Sequence, residues 1–509
     1  MVEILETNLL VAQIDRQAVS PLEGYSRRNQ TFLQSHSDFD DFIDKFVTAG
    51  EVAEAPGANR SAIAANKEYL RVEKLLAGTR IELMKVLWAH DVFLSSGTVD
   101  RILFYLASKS TGGDIVKEFF DFVLVRKLHN TGFVLYPIHS FGIQGFGLAG
   151  LMKLTIPDVD LREAGVFLSA QTNNVERTLA FLDRARLAFG ISHPLPGSLR
   201  SEFMREHFAW TTKNPLLALK MSSTTSGFYE NQFVIMVKLQ LATALVQMLA
   251  TLGQTDRTNR ESRNLSTART NNYETLDFNH YVVFEANEAK PELDPLRTPM
   301  NVSRSDLVSL AEMNIDIDPS SWSDPEKQAI LSQIQHGLGA LEAGYLSEWV
   351  LGEKTSTRAR VLRKVFLSVS YFHKSFRSAI NTDEAVVSIA IAFETLLTDG
   401  YQRGGVKNRI ARRVPLCLAN DPDHSDFVRE VQKLMEYRGQ VVHEGTSDIS
   451  IDINAVRRAY VRCFLAVMAC LPNIKQGASQ PVGDVLGDVT PKRSRWKVLR
   501  QWIARKIDR

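Results

Sequence analysis

Cysteine is scarce in this chain, with three in 509 residues. They stand at Cys417, Cys463 and Cys470, and no C-x-x-C pair occurs. That pattern argues against a zinc ribbon or a redox dithiol and suits free thiols in a reducing compartment. Other signatures are missing as well. There is no G-x-x-x-x-G-K-[ST] phosphate loop, no G-x-S-x-G elbow and no H-E-x-x-H pair, which removes the motif grounds for an NTPase, an α/β-hydrolase or a zincin. The 11 histidines show no metal-ligand spacing. His90, His129, His139 and His207 read as core or surface residues. No metal and no cofactor are expected. The opening residues Met1 to Glu6 lack the positive end and apolar core of a secretory signal, so a cytoplasmic protein is expected. The longest apolar run, Phe233 to Leu252, contains Lys238, Gln240 and Gln247. It is expected to be a buried helix rather than a membrane span. No repeat period or low-complexity tract is found.

What is present is ordinary for a soluble globular protein: 44% hydrophobic and 23% charged residues. The length suffices for two or more domains. Helical spacing of apolar residues runs through Ala62–Phe93, Val99–Leu128, Val166–Phe189 and Phe228–Leu252. His280 to Glu285 reads as a strand, and Phe133 to Tyr136 as another. The polar stretch Gly253 to Asn272 reads as an exposed loop, and Pro291 to Pro299 as a turn-rich connector. Ser323 with Glu326 suggests a capping box that opens a helix over Pro325–Leu346. Gly145 to Gly150 matches G-x-G-x-x-G, but Pro157 follows too soon for the helix of a dinucleotide-binding unit. Those glycines read as a close-packing or tight-turn feature.

The most informative stretch is Glu436-Tyr437-Arg438-Gly439-Gln440-Val441-Val442-His443-Glu444-Gly445. Arg438 can hold a phosphate with a planar fork of donors. His443 carries the one side chain whose ordinary pKa, about 6.5, lies near neutral pH. Phe427, Val431, Leu434, Arg438 and Val441 share one helical stripe, so a guanidinium is set into an apolar face. His443 lies about 140° further round the helix. For the two to converge, either the helix unwinds after Val442 or another chain completes the groove. Gly445 is placed to end the helix in a left-handed turn. A structural reading stays open: Arg438 paired with a carboxylate, and His443 favoured by the negative helix end.

Residues from about Val350 to Leu471 resemble an Apea-like HEPN domain. The resemblance rests on the order of parts. A long helix spans roughly Lys354 to Phe376, and a second carries Ile389 to Leu397 with the acidic Glu394 before a leucine pair. Lys407 to Arg413 follows, then the Tyr437–Gly445 helix end and a last apolar helix from Ile453 to Leu471. The resemblance implies a compact helical bundle, a homodimer, and a metal-independent ribonuclease site. By position Arg438 would stabilise the phosphate, His443 would act as general base or acid, and Glu394 would orient Arg438. Several members act in anti-phage or toxin systems, so a defence effector is implied. Where the family often has Asn, Asp or His after the arginine, this chain has Gly439. The alternative is a non-catalytic helical module for dimerisation or partner binding.

The reading is therefore a mainly α protein: an N-terminal domain over 1–345, mostly helical with a few strands, an HEPN-like bundle over 346–471, a linker over 472–491 and a basic amphipathic tail over 492–509. Charge is uneven. Residues 350–471 carry a net +5, the tail +7 and the linker −1, leaving 1–349 at −9. Arg403, Lys407, Arg409, Arg412 and Arg413 form a dense basic cluster that is expected to track an RNA backbone. In the tail, Trp496, Leu499, Ile503 and Ile507 make an apolar face among basic residues. Docking on the acidic N-terminal domain is its plainest use, ahead of a membrane surface.

Overall fold

The computed structural model describes residues 7–488, apart from 25, 91, 110–112, 126–129, 144–158, 161–164, 170–173, 206–209, 214, 224–227, 254–279, 287–289, 300–311, 318–324, 353, 377–381 and 401–404. The glycine motif at 145–150, the polar stretch after Gly253, Ser323, Arg403 and the tail at 492–509 lie outside the described residues. The chain is mainly α.

Seven helices come first: α1 Thr7–Ala12, α2 Arg16–Gly24, α3 Ser26–Leu33, α4 Phe39–Glu54, α5 Arg60–Ala89, α6 Ser96–Lys109 and α7 Ile115–Val125. Short polar side chains fix their starts. Asp38 accepts from Asp41 N at the head of α4, and Asn59 accepts from Ala62 N at the head of α5, both at 2.9 Å. The single helical stretch expected over Val99–Leu128 is two helices, α6 and α7.

A six-stranded sheet follows, built from β1 Asn130–Pro137, β3 Val159–Asp160, β4 Val166–Ser169, β5 Leu216–Ser223, β6 His280–Glu285 and β7 Asp294–Pro299. Its order is β3-β4-β5-β1-β6-β7, and every pairing is antiparallel. β2 His139–Ile143 instead pairs in parallel with β8 Glu312–Ile317. Side chains alternate between the two faces of the large sheet. Phe133, Leu135, Ala218, Val282 and Phe284 face α8 Val175–Ala188 and α9 Leu199–Phe203 in a separate small core. Phe133 and Phe284, directly opposite on β1 and β6, stack with centroids 4.6 Å apart. Val134, Tyr136, Leu217 and Leu219 point the other way into the main core. Two expectations are corrected here. The helical spacing from Val166 covers a strand before the helix proper, and most of the supposed connector Pro291–Pro299 is strand β7.

After the short α10 Trp210–Lys213 comes α11 Phe228–Gly253, which holds the apolar run. It is long and apolar enough to cross a membrane by composition, yet 83% of that window is buried inside the protein. Its polar residues are matched within the interior. Lys238 donates to Glu342 at 2.7 Å with both side chains about nine-tenths buried. Gln247 Oε1 lies 3.1 Å from His373 Nδ1.

The C-terminal part is a helical bundle: α12 Pro325–Gly344, α13 Thr357–Lys374, α14 Thr382–Leu397, α15 Val406–Cys417, α16 His424–Glu444 and α17 Ile453–Cys470. Between α12 and α13 the chain widens into a π-helical turn, Tyr345–Val350. α14 is central and touches α13, α15, α16 and α17. α11, from the N-terminal part, packs on α12, α13 and α17. One apolar core runs unbroken from Leu10 to Val482. The boundary drawn at 345/346 falls where α12 passes directly into the π turn, and buried side chains continue across it. The segment read as a linker is also packed as far as Asp488. It holds a short helix, α18 Pro481–Leu486, with Pro481 and Val482 buried.

Glu342→Leu should remove the buried carboxylate that Lys238 bonds and lower stability by about 3–5 kcal/mol, read from urea denaturation. Adding Lys238→Met should restore most of that loss.

Candidate active site

The motif helix α16 forms because Phe427, Val431 and Leu434 repeat on one face, and all three are buried against the bundle. Arg438 continues that stripe one turn later, where burial gives way to partial exposure. It faces Glu394 on α14, with Nε 3.5 Å from Glu394 Oε1. The side chains are 32% and 22% exposed, so the pair is wet rather than sealed. The contact is long, and Arg438 Nε is buried without a hydrogen bond among the described residues. Burial raises the Glu394 carboxyl above its ordinary pKa, against the pull of Arg438. The guanidinium is thus aimed by a carboxylate but not consumed by it.

Tyr437 turns the other way. Its hydroxyl donates to Asp383 at the start of α14, a 2.5 Å bond that pushes the phenol up to about 12. Together Asp383 and Glu394 clamp both sides of the Tyr437-Arg438 pair, which fixes how α16 sits on α14. Sequence reading missed Asp383, because a carboxylate 54 residues from its partner leaves no local pattern.

His443 lies in the last turn of α16, exposed and making no hydrogen bond among the described residues. Gly445 caps the helix at φ 81°, with its N–H donating to Val441 O at 3.0 Å. The helix therefore does not unwind after Val442. Arg438 and His443 leave one straight helix about 140° apart, and a single copy does not aim both at one point. Gly439 is one turn before His443 on the same face, and a Cβ there would meet nothing within 4 Å. No crowding excludes a larger residue at this position.

The basic cluster behaves differently from the expectation. Arg413 is fully buried, because its Nη1 lies 2.7 Å from Asp399 and 2.6 Å from Leu397 O, while Nε lies 2.8 Å from Asp488. It is removed from any RNA surface. Arg412 grips both Asp488 oxygens at 3.0 and 3.2 Å. Lys407 pairs with Glu436 at 2.9 Å on the surface. Arg409 is half-buried and also has a partner. These cations mainly hold the C-terminal segment and neighbouring helices. The signal was available at Arg413, which shares the apolar stripe of Val406, Ile410 and Cys417. Near the site, Lys364 donates to Thr398 O, and burial draws its amine down to about 8.

A small apolar pocket lies between α15 and α16, walled by Ile410, Val414, Val428 and Val431. None of Arg438, His443 or Glu394 lines it.

Hydrogen bonds from Arg412, then Arg413, hold the Asp488 carboxyl below the usual carboxylate range. Its clasp is therefore complete above the unfolded value of about 3.9 and is lost as the pH falls through the lower folded value. Exchange of the Val482 amide, which donates to Asp399 at 2.6 Å, should accelerate in that acid window relative to the Phe464 amide in the bundle core. Arg413→Ala should cost about 3–5 kcal/mol in urea denaturation by stranding two buried carboxylates. Gly439→Ala should instead raise stability by roughly 1 kcal/mol. No family model, curated protein or solved structure matches the chain.

Proposed function

We propose that the chain is a metal-independent endoribonuclease of the HEPN type, acting as a dimer through Arg438 and His443. The observation that supports it best is Arg438 itself: a half-exposed guanidinium, aimed by Glu394 and short of hydrogen bonds, on a helix that ends in an exposed histidine. In this reading His443 takes the proton from a ribose 2′-hydroxyl. The freed oxygen attacks the neighbouring phosphorus and the P–O5′ bond breaks; the leaving 5′-oxygen takes up a proton from protonated His443 or from water, giving a 2′,3′-cyclic phosphate and a 5′-hydroxyl. Arg438 neutralises the charge that builds on the phosphate oxygens. The substrate supplies its own nucleophile, so proximity comes without a bound cofactor.

The unbroken helix favours a site completed by a second copy over one closed within a single chain. Both groups are open to solvent, as a shared interface groove requires. A non-catalytic pairing module is the competing reading, and Gly439, which offers no polar group beside Arg438, favours it.

Labelled RNA incubated with the purified chain in EDTA should be cut, and DNA of the same sequence should not. His443→Ala and Arg438→Ala should each lower the rate by about 10²–10⁴-fold. Mixed after joint refolding, the two inactive variants should regain part of the activity if the site spans two copies. Absence of cleavage by a folded wild-type chain on every RNA tried would leave the pairing module as the better account.

A further inference from the structure

α13 carries no aspartate or glutamate in its 18 residues, yet it holds Arg358, Arg360, Arg363, Lys364 and Lys374. Its inner face, with Val361, Leu362, Val365, Val369 and Phe372, is buried. Its outer stripe is Arg360, Arg363, Leu367, Tyr371 and Lys374, at helical spacing along about 21 Å. Nothing in the packing of the bundle calls for that stripe to be cationic.

The cations on it are ordered by aromatic rings rather than by carboxylates. Arg363 lies over Trp349 at 4.7 Å, and Lys354 approaches the same ring at 5.9 Å. Lys374 lies over Tyr371 at 5.0 Å. Arg360 bonds only the hydroxyl of Thr357, at 3.4 Å, among the described residues. Among the described residues, the nearby carboxylate Glu348 is taken up by Arg358 at 3.1 Å. Trp349 is presented by the π turn, whose Tyr345 stacks on Phe366 of α13 with centroids 4.1 Å apart. That stack holds the indole beside the stripe. The contrast with α15 is direct, because there Lys407, Arg412 and Arg413 are each matched to an acid.

We infer that the outer face of α13 with Trp349 is a binding platform for single-stranded nucleic acid. Unmatched cations in a row suit a polyphosphate backbone, and indole, phenol and guanidinium planes offer stacking faces to bases. The stripe suits a membrane poorly, since Leu367 is its one exposed large apolar residue. A chain of contacts joins it to the proposed site. Lys364, beside Arg363, donates to Thr398 O; Thr398 Oγ1 donates to Glu394 O at 2.5 Å; and Glu394 faces Arg438. The inference rests on the ribonuclease reading only for naming the bound strand as RNA.

The test is fluorescence anisotropy with labelled single strands of about 20 nucleotides, RNA and DNA of one sequence, in EDTA and across a salt series. It uses the full chain carrying His443→Ala, so that cutting does not intervene. Both strands should bind, because phosphates and base faces are common to both. Arg360→Gln/Arg363→Gln/Lys374→Gln should weaken binding at least tenfold and reduce the slope of log affinity against log salt by about 2, near 0.7 for each lost phosphate contact. Trp349→Ala should weaken it about five- to hundredfold, and Trp349→Phe much less. The triple glutamine variant changes two exposed side chains and the half-buried Lys374, and an unaltered thermal melt confirms that it is folded. An unchanged salt slope in that variant would overturn the platform, as would binding to phosphatidylglycerol vesicles without binding to either strand. If the native chain cuts RNA and the triple variant cuts it equally well with equal affinity, the platform fails and the ribonuclease reading stands. If both strands bind through these residues but no RNA is ever cut, the platform stands alone.

Discussion

Arg413 brings a permanent charge into the interior, with no part of its side chain exposed. A buried guanidinium is tolerated only when its charge and its donors are met together. Here the partners come from three places. Leu397 O and Asp399 lie at the end of α14, Asp488 lies in the C-terminal segment, and Arg413 itself lies on α15. Gly483 packs so near the guanidinium that a Cβ would come within 2.3 Å of Nη2. This cluster ties the far end of α14 to α15 and brings the residues after the last long helix back onto the bundle. α14 in turn carries Glu394 and Asp383, the two carboxylates that seat α16.

The same rule sorts the remaining cations. A positive side chain already bonded to a carboxylate offers little to a phosphate, because binding would first break the pair. By that measure α15 serves the architecture, Arg438 is left half-engaged, and the α13 stripe is largely unengaged. Net charge over residues 350–471 did not distinguish these roles. The distribution of acids around each helix did.

Much of the bundle was legible from spacing. Apolar positions along α13, α14, α16 and α17 repeat at the helical period, and local caps mark their ends: Asp452 accepts from Asn454 N and Ala455 N, and Gly445 turns left-handed after α16. The strands at Phe133–Tyr136 and His280–Glu285 stood out through their β-branched and aromatic residues. β4 and β7 did not, since β4 is held by β5 about 50 residues away and β7 contains prolines that read as turns. The segment around Asp488 reads as a linker for the same reason, although it packs on the bundle. Its glycines and prolines are visible in the sequence, but its partner Arg413 is 75 residues distant.

Sequence alone determined the helical class, the buried helix α11, and the placing of Arg438 on an apolar stripe ahead of His443. Each of these follows from side chains a few residues apart, whose relation is set by 3.6 residues per turn. Tertiary structure alone decided that Glu394 aims Arg438, that Arg413 is interior, and that α13 presents unmatched charge. Those outcomes depend on which carboxylates long-range packing brings within reach of each cation, and the order of residues along the chain does not encode that locally.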